Sequence, residues 1–204
     1  MNNTGAFIYQ VCEWFMRLAI ANLLWIFFTL LGGFFLGIYP ASAACTALLH
    51  CWMEGKRPAP VPFFWKTYKR SFTRANALFL PALIAVSLLM VNLYTSLHFE
   101  GVWFYLFVSS TAVFLLALGL FLLLALLPLS EEKAWKTVLI KTFRTLFLYP
   151  GLLCFLVGGI IILGACIRVV PGILPLYSVN IVLLMNIYLF SLSEKKDSVP
   201  IEST

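Results

Sequence analysis

The sequence predicts an all-α, polytopic membrane protein, and three observations carry that prediction. Residues 18–53 hold no Asp, Glu, Lys or Arg, and similar apolar runs recur toward the C-terminal end. Of 204 residues, 62% are hydrophobic and 11% charged, with a mean hydropathy of +0.99. A soluble domain carries about 25% charged residues, so this composition cannot clothe a water-facing globule of the same length. In lipid each backbone N–H and C=O must be paired within its own segment or in a closed barrel. The runs are continuous rather than alternating and rich in Leu, Ala, Ile and Phe, which predicts helices rather than barrel strands.

The elements follow in order within one membrane domain, 1–204. Residues 4–17 read either as a short amphipathic leading helix, with Phe7, Ile8, Val11, Phe15 and Leu18 on one face, or as the front of the first span. Residues 18–37 are long enough to cross. Gly37 can end that helix and Pro40 can open the next at its first turn, giving a second crossing over 40–56. The alternative lays 41–53 on the cytoplasmic surface and leaves five spans. A surface helix needs a strongly polar face, and this one offers Ser42, Thr46 and His50. Further spans are expected over 75–97, 102–128, 146–167 and 173–191. The favoured reading is therefore six membrane helices, the first two as a short hairpin. Ala41-Ser42-Ala43 resembles a signal-peptidase site, but the apolar run before it exceeds the usual 7–15 or so residues, so no cleavage is expected.

Charge sets the orientation. Segment 54–74 carries net +5 and segment 129–145 net +2, while the turn at His98-Phe99-Glu100-Gly101 has no basic residue. The positive-inside rule puts both basic segments and the C-terminal tail in the cytoplasm; lone Arg168 on the outer side does not outweigh them. Each basic segment predicts an amphipathic interfacial helix, over 62–74 and 130–145. The first follows a stiff Pro58-Ala59-Pro60-Val61-Pro62 stretch, and the second opens on Ser130 as N-cap with Glu131 and Glu132 in its first turn. Trp65-Lys66-Thr67 and Trp135-Lys136-Thr137 hint at a parallel repeat, each copy feeding a span with a proline near its start.

Two candidate sites emerge. The aromatic–basic belt of Trp65, Lys66, Tyr68, Lys69, Arg70, Phe72, Trp135 and Lys136 fits anionic lipid or a partner. Positive-inside bias explains the same residues better than nucleic acid does. Neutral amides at Asn22, Asn92, Asn180 and Asn186 either join helices or line a polar cavity for an uncharged solute. Gly33 and Gly37 form a G-x-x-x-G pair suited to close helix approach, and Pro171 and Pro175 bracket the start of the last span. No ionisable residue sits deep in a predicted span, which argues against ion-coupled transport. No cofactor or metal is expected. The five cysteines are scattered without a C-x-x-C, His50 and His98 match no ligand spacing, and no catalytic motif is present. The chain is therefore expected not to be an enzyme.

Residues Arg17-Leu18 through Asn22-Leu23-Leu24-Trp25, then Gly37-Ile38-Tyr39-Pro40-Ala41-Ser42-Ala43-Ala44, then Phe63-Phe64-Trp65-Lys66-Thr67-Tyr68-Lys69-Arg70-Ser71-Phe72, occur in that order. This succession resembles the YesL-like family of small bacterial membrane proteins, best over the N-terminal 80 or so residues. Ala21 before Asn22, and His50-Cys51 where members often carry basic residues, depart from the family pattern. The resemblance implies a bacterial inner-membrane protein associated with carbohydrate uptake and its sensory regulation, and no catalytic residues. Two functions are expected from these readings. One is a non-enzymatic accessory to a sugar transporter subunit or membrane sensor. The other is a permease or channel for a small uncharged polar solute. A purely structural membrane protein is the third.

Overall fold

The computed structural model describes residues 3–132, 134–169 and 173–197. They form helices α1 (Asn3–Leu31), α2 (Phe35–Met53), α3 (Pro60–Ser96), α4 (Val102–Glu131), α5 (Trp135–Leu148), α6 (Pro150–Val169) and α7 (Ile173–Asp197). Among the described residues there is no strand. Four helices, α1 to α4, are long and apolar enough to cross a membrane, and a fifth crossing arises if α5 and α6 count as one bent span. This is a helical membrane protein.

The leading residues 4–17 are continuous with the first span, so α1 rises about 43 Å without a break. It stops at Leu31, six residues before the expected end at Gly37. The reason is local backbone chemistry. Gly33 adopts φ 74°, its N–H bonds the Leu30 carbonyl at 3.0 Å, and the Phe34 N–H bonds the Thr29 carbonyl at 3.0 Å. Those two bonds make a Schellman motif around a left-handed glycine. The same motif ends α2, with Gly55 at φ 77°, Gly55 N–H to the Trp52 carbonyl at 3.1 Å and Lys56 N–H to the Cys51 carbonyl at 2.9 Å.

Gly37 therefore serves packing rather than termination. A Cβ there would strike the Thr29 backbone, so α1 and α2 cross at near backbone contact. Of the expected glycine pair, Gly37 makes the approach and Gly33 makes the turn. Pro40 lies inside α2 rather than opening it. The hairpin is antiparallel: Trp25 Nε1 donates to Ser42 Oγ at 3.0 Å, and nearer the open end Arg17 lies over Trp52. Residues 41–53 are not a surface helix. Tyr39 through Leu49 are all buried, enclosed by α1, α3, α4 and α7.

Helix α3 joins the expected interfacial helix 62–74 and span 75–97 into one 37-residue element. Pro60 stands at its first turn and Pro81 is carried in its interior. No glycine occurs between 60 and 96, so the helix continues, short of the one bond that Pro81 cannot donate, although the side chains change from charged to apolar. Helix α4 returns antiparallel: Thr111 Oγ1 donates to Asn92 Oδ1 at 2.8 Å, and Arg74 Nη1 donates to the Glu132 carbonyl at 2.7 Å. Ser130 does not cap a new helix. It sits in the last turn of α4, its hydroxyl on the Leu127 carbonyl, and α5 begins at Trp135 after the uncapped Ala134. Lys133 lies outside the described residues.

Helix α5 meets α6 at 87°, whereas the corresponding first segment runs straight through into its span. The two copies of the hinted repeat thus have different structures. Helix α6 opens on Pro150 rather than at 146, and α7 continues past the expected end at 191. Pro171 lies outside the described residues.

Candidate functional site

The polar residues of the sequence reading are distributed rather than gathered. Asn180 of α7 donates from Nδ2 to the Leu18 carbonyl of α1 at 2.6 Å, and its Oδ1 lies 3.3 Å from Cys45 Sγ of α2. Asn186, two turns on, donates to the Leu123 carbonyl of α4 at 2.7 Å. Asn92 accepts from Thr111 in the outer part of the α3–α4 hairpin. Asn22 is buried in α1. Tyr39 extends the pattern, its hydroxyl bonding the Leu122 carbonyl at 2.8 Å. Each such bond ties one helix to another, at about 0.6–2 kcal/mol apiece in membranes.

One buried amide escaped the sequence reading. Asn76 of α3 is buried, and neither its Nδ2 nor its Oδ1 meets a hydrogen-bonding partner among the described residues; the same holds for Asn186 Oδ1, Thr29 Oγ1 and the Tyr68 hydroxyl. Only a polar residue just C-terminal to the basic run could have flagged Asn76, and that signal is weak.

The belt divides into two groups. Tyr68 is buried and lies beside Phe28 and Trp65, and Phe72 packs on Tyr68. Arg70 donates to the Ser130 carbonyl at 2.5 Å, joining Arg74 in covering the last carbonyls of α4. A helix leaves its final carbonyls without intrahelical donors and carries partial negative charge there, so two guanidinium groups satisfy both needs. These belt residues build the fold. Trp65, Lys66 and Lys69 on α3 and Trp135 and Lys136 on α5 are exposed.

Ion pairs and a histidine–carboxylate contact gather around the ends of α2 and α4. His50 Nδ1 lies 2.7 Å from Glu131 Oε1, and Lys141 Nζ lies 2.7 Å from Glu132 Oε1. Glu13 holds Arg17 at 2.6 Å and Arg57 at 3.4 Å. In the loop after α2, Lys56 donates to Glu54 at 2.7 Å. That bond holds the Glu54 carboxyl below its usual range and raises the Lys56 ammonium. Among the described residues no cluster of His, Cys, Asp and Glu could hold a metal ion.

Comparison with known proteins places this arrangement in a family. Residues 18–93 match the family described as "Protein of unknown function, DUF624". The uncharacterized protein YteU of Bacillus subtilis (strain 168) is 33% identical over 177 residues, covering 85% of this chain and 78% of YteU. The chain belongs to this YesL-like family. YesV of the same organism is 30% identical over 83% of each chain, and YesL itself is 36% identical over 40% of each. The family match covers the second half of α1, all of α2 and most of α3, the part that bears Trp65, Lys66 and Lys69. No solved structure matches the chain.

Proposed function

We propose that this chain is a non-enzymatic accessory protein of the bacterial cytoplasmic membrane, serving carbohydrate uptake or its membrane sensing. The observation that carries the reading is the division of polar groups. Inside the bundle Asn180, Asn186, Ser42 and Tyr39 tie helices together. Outside it Lys66, Lys69, Trp135 and Lys136 are exposed, as is Trp65, whose ring rests on Phe28 and Tyr68 of the core. That exposed aromatic–basic face is the docking surface for a transporter subunit or sensor and for anionic headgroups. The carbohydrate context rests on the family resemblance.

In this reading the open end of the α1–α2 hairpin and the basic segments are cytoplasmic, and six helices cross. Helix α5 lies in the headgroup layer. Its buried side carries Val138, Thr142 and Thr145 while Ile140, Phe143 and Phe147 face outward, and its 87° angle to α6 suits a helix along the surface followed by one across it.

The test is photo-crosslinking at native expression, with a photoreactive residue at position 65, 69 or 135, followed by mass spectrometry. A transporter subunit or sensor joined at these positions is the expected result, with loss of that product in Lys66→Glu/Lys69→Glu. Self-crosslinks alone would overturn the accessory reading. The permease reading draws on the Asn76 amide and Asn186 Oδ1, which meet no hydrogen-bonding partner among the described residues. Sugar uptake by proteoliposomes holding only this chain would establish it in place of the accessory role.

A further inference from the structure

Three apolar grooves, linked by shared lining residues, run along the face where α1 and α6 flank α7. The first, about 460 Å³, is lined by Phe155, Gly158, Gly159, Cys166, Ile181 and Met185. The second, about 410 Å³, shares Phe155 and Met185 and adds Trp14, Met53 and Tyr188. A third, about 280 Å³, shares Trp14 and follows α1 toward Phe7. The two larger volumes fall in the range of about 300–1,000 Å³ typical of small-molecule sites. Glycine shapes the floor: a Cβ on Gly159 would overlap the Met185 side chain, whereas one on Gly158 would meet open space.

The groove has a charged mouth. Beside Trp14 and Met53, Arg17 lies 5.5 Å from the Trp14 ring centre and 5.8 Å from that of Trp52. Arg17 and Arg57 share the carboxylate of Glu13, two guanidinium groups to one acid among the described residues, and the Arg57 side chain is 72% exposed. Aromatic rings with a polar edge mark the boundary between hydrocarbon and headgroup. A guanidinium is the side chain best shaped to take a phosphate through paired N–H donors.

We propose that this groove binds one glycerophospholipid with an anionic headgroup. An acyl chain lies over Gly158 and Gly159, and the phosphate meets Arg57 beside Arg17. The order of features along the groove matches that ligand: an apolar trough, an aromatic rim, then net positive charge. A peptide segment fits worse, because an apolar trough offers nothing to the N–H and C=O groups of an extended chain.

The test uses the full chain in mild detergent, mixed with equimolar phosphatidylglycerol and phosphatidylcholine, with retained lipid counted by native mass spectrometry. Phosphatidylglycerol should be retained about fivefold over phosphatidylcholine, the effect of one basic residue at an anionic surface. Arg57→Glu should erase that preference. Gly158→Phe, whose side chain points into open space, should lower retention of both lipids together. Equal retention by the unaltered chain, or a preference that survives Arg57→Glu, would overturn the site, as would undiminished binding to Gly158→Phe. Efficient disulfide dimers in membranes, formed by a variant with Cys166 as its sole cysteine, would instead make the groove a contact between copies. None of these readouts needs a partner protein, so they stand apart from the accessory reading.

Discussion

Helix α2 and the outer part of α3 are both apolar helices of one chain, and they use their side chains in opposite ways. In α2, 72% of the spanning window is buried; in α3 the figure is 6%. Yet α2 is the less hydropathic of the two. Water-based intuition would order them the other way. Lipid tails are as apolar as leucine, so hydrophobicity gives helices no reason to leave lipid for one another. Close backbone approach and interhelical hydrogen bonds do. Helix α2 offers Gly37, Ala41, Ser42, Ala43, Ala44, Cys45 and Thr46, and it sits at the centre. The outer part of α3 offers Ile84, Leu88, Val91 and Tyr94, all exposed.

The comparison breaks first at Gly37. Its missing Cβ keeps α1 and α2 together, and the obstacle to any side chain there is the Thr29 backbone, which cannot swing aside. Gly37→Leu should exceed the roughly 1–3 kcal/mol typical of overpacking and abolish the monodisperse folded species in detergent. Leu88→Ala, on an exposed position, should leave the elution profile and thermal stability unchanged. Equal damage from both would end the distinction between centre and periphery.

The buried amides sharpen it with opposite signs. Asn180→Leu removes bonds to α1 and α2 and should destabilise by about 0.6–2 kcal/mol in detergent-mediated unfolding. Asn76 is buried without a hydrogen-bonding partner among the described residues, so Asn76→Leu removes a desolvation penalty and should stabilise by about 1 kcal/mol. If Asn76→Leu destabilises instead, that amide has a partner of another kind, and a solute path gains support.

Next in size is Arg74. Truncation to Ala frees the Glu132 carbonyl at the end of α4 and should cost about 1 kcal/mol. Hydrogen exchange should rise in residues 128–132 before it changes in α2. Lys69→Ala, an exposed belt position, should leave both stability and exchange as they are.

These contrasts mark what the sequence made legible. The membrane-helical class followed from runs without charge, and the 98–101 turn followed from Gly101 between two long runs. The α1–α2 hairpin was legible as a pair of helices but not in its boundaries. Gly33 and Gly37 are equally good breakers on paper, and only the crossing with Thr29 decides which is turn and which is contact. The Ser130-Glu131-Glu132 signature resembled a helix start because its true role depends on Arg70 and Arg74, about 60 residues away in the chain. Charge composition suggested a boundary near residue 74, but backbone hydrogen bonding does not respond to charge, so α3 continued. Of the candidate sites, the belt's exposed residues were readable from pattern. Its inward ones were not, because Tyr68 and Lys69 look alike to a rule that asks only for aromatic and basic residues at interfacial spacing.

The smallest expected effect concerns charge pairs, and it separates pairs that join elements from pairs that do not. Glu13 links α1 to the loop after α2 through Arg57, whereas Glu54 and Lys56 are two residues apart in that same loop. Lys56→Ala should let the Glu54 carboxyl titrate higher, back toward its ordinary value, because the hydrogen bond that lowers it is gone. The direction fixes the window. A lowered carboxyl value contributes stability above the ordinary value and loses it as pH falls through the lowered one. The raised Lys56 ammonium contributes below its ordinary value and loses that as pH rises through the raised one. Both contributions are therefore present at neutrality, but the pair is largely solvent-facing and screened, so unfolding near pH 7 should be nearly the same with or without Lys56. NMR titration of Glu54 beside a stability curve checks both halves. A moved titration with unmoved stability identifies a pair that shapes its own chemistry and holds nothing together, while a stability loss would mean that the loop, like α2, carries part of the fold.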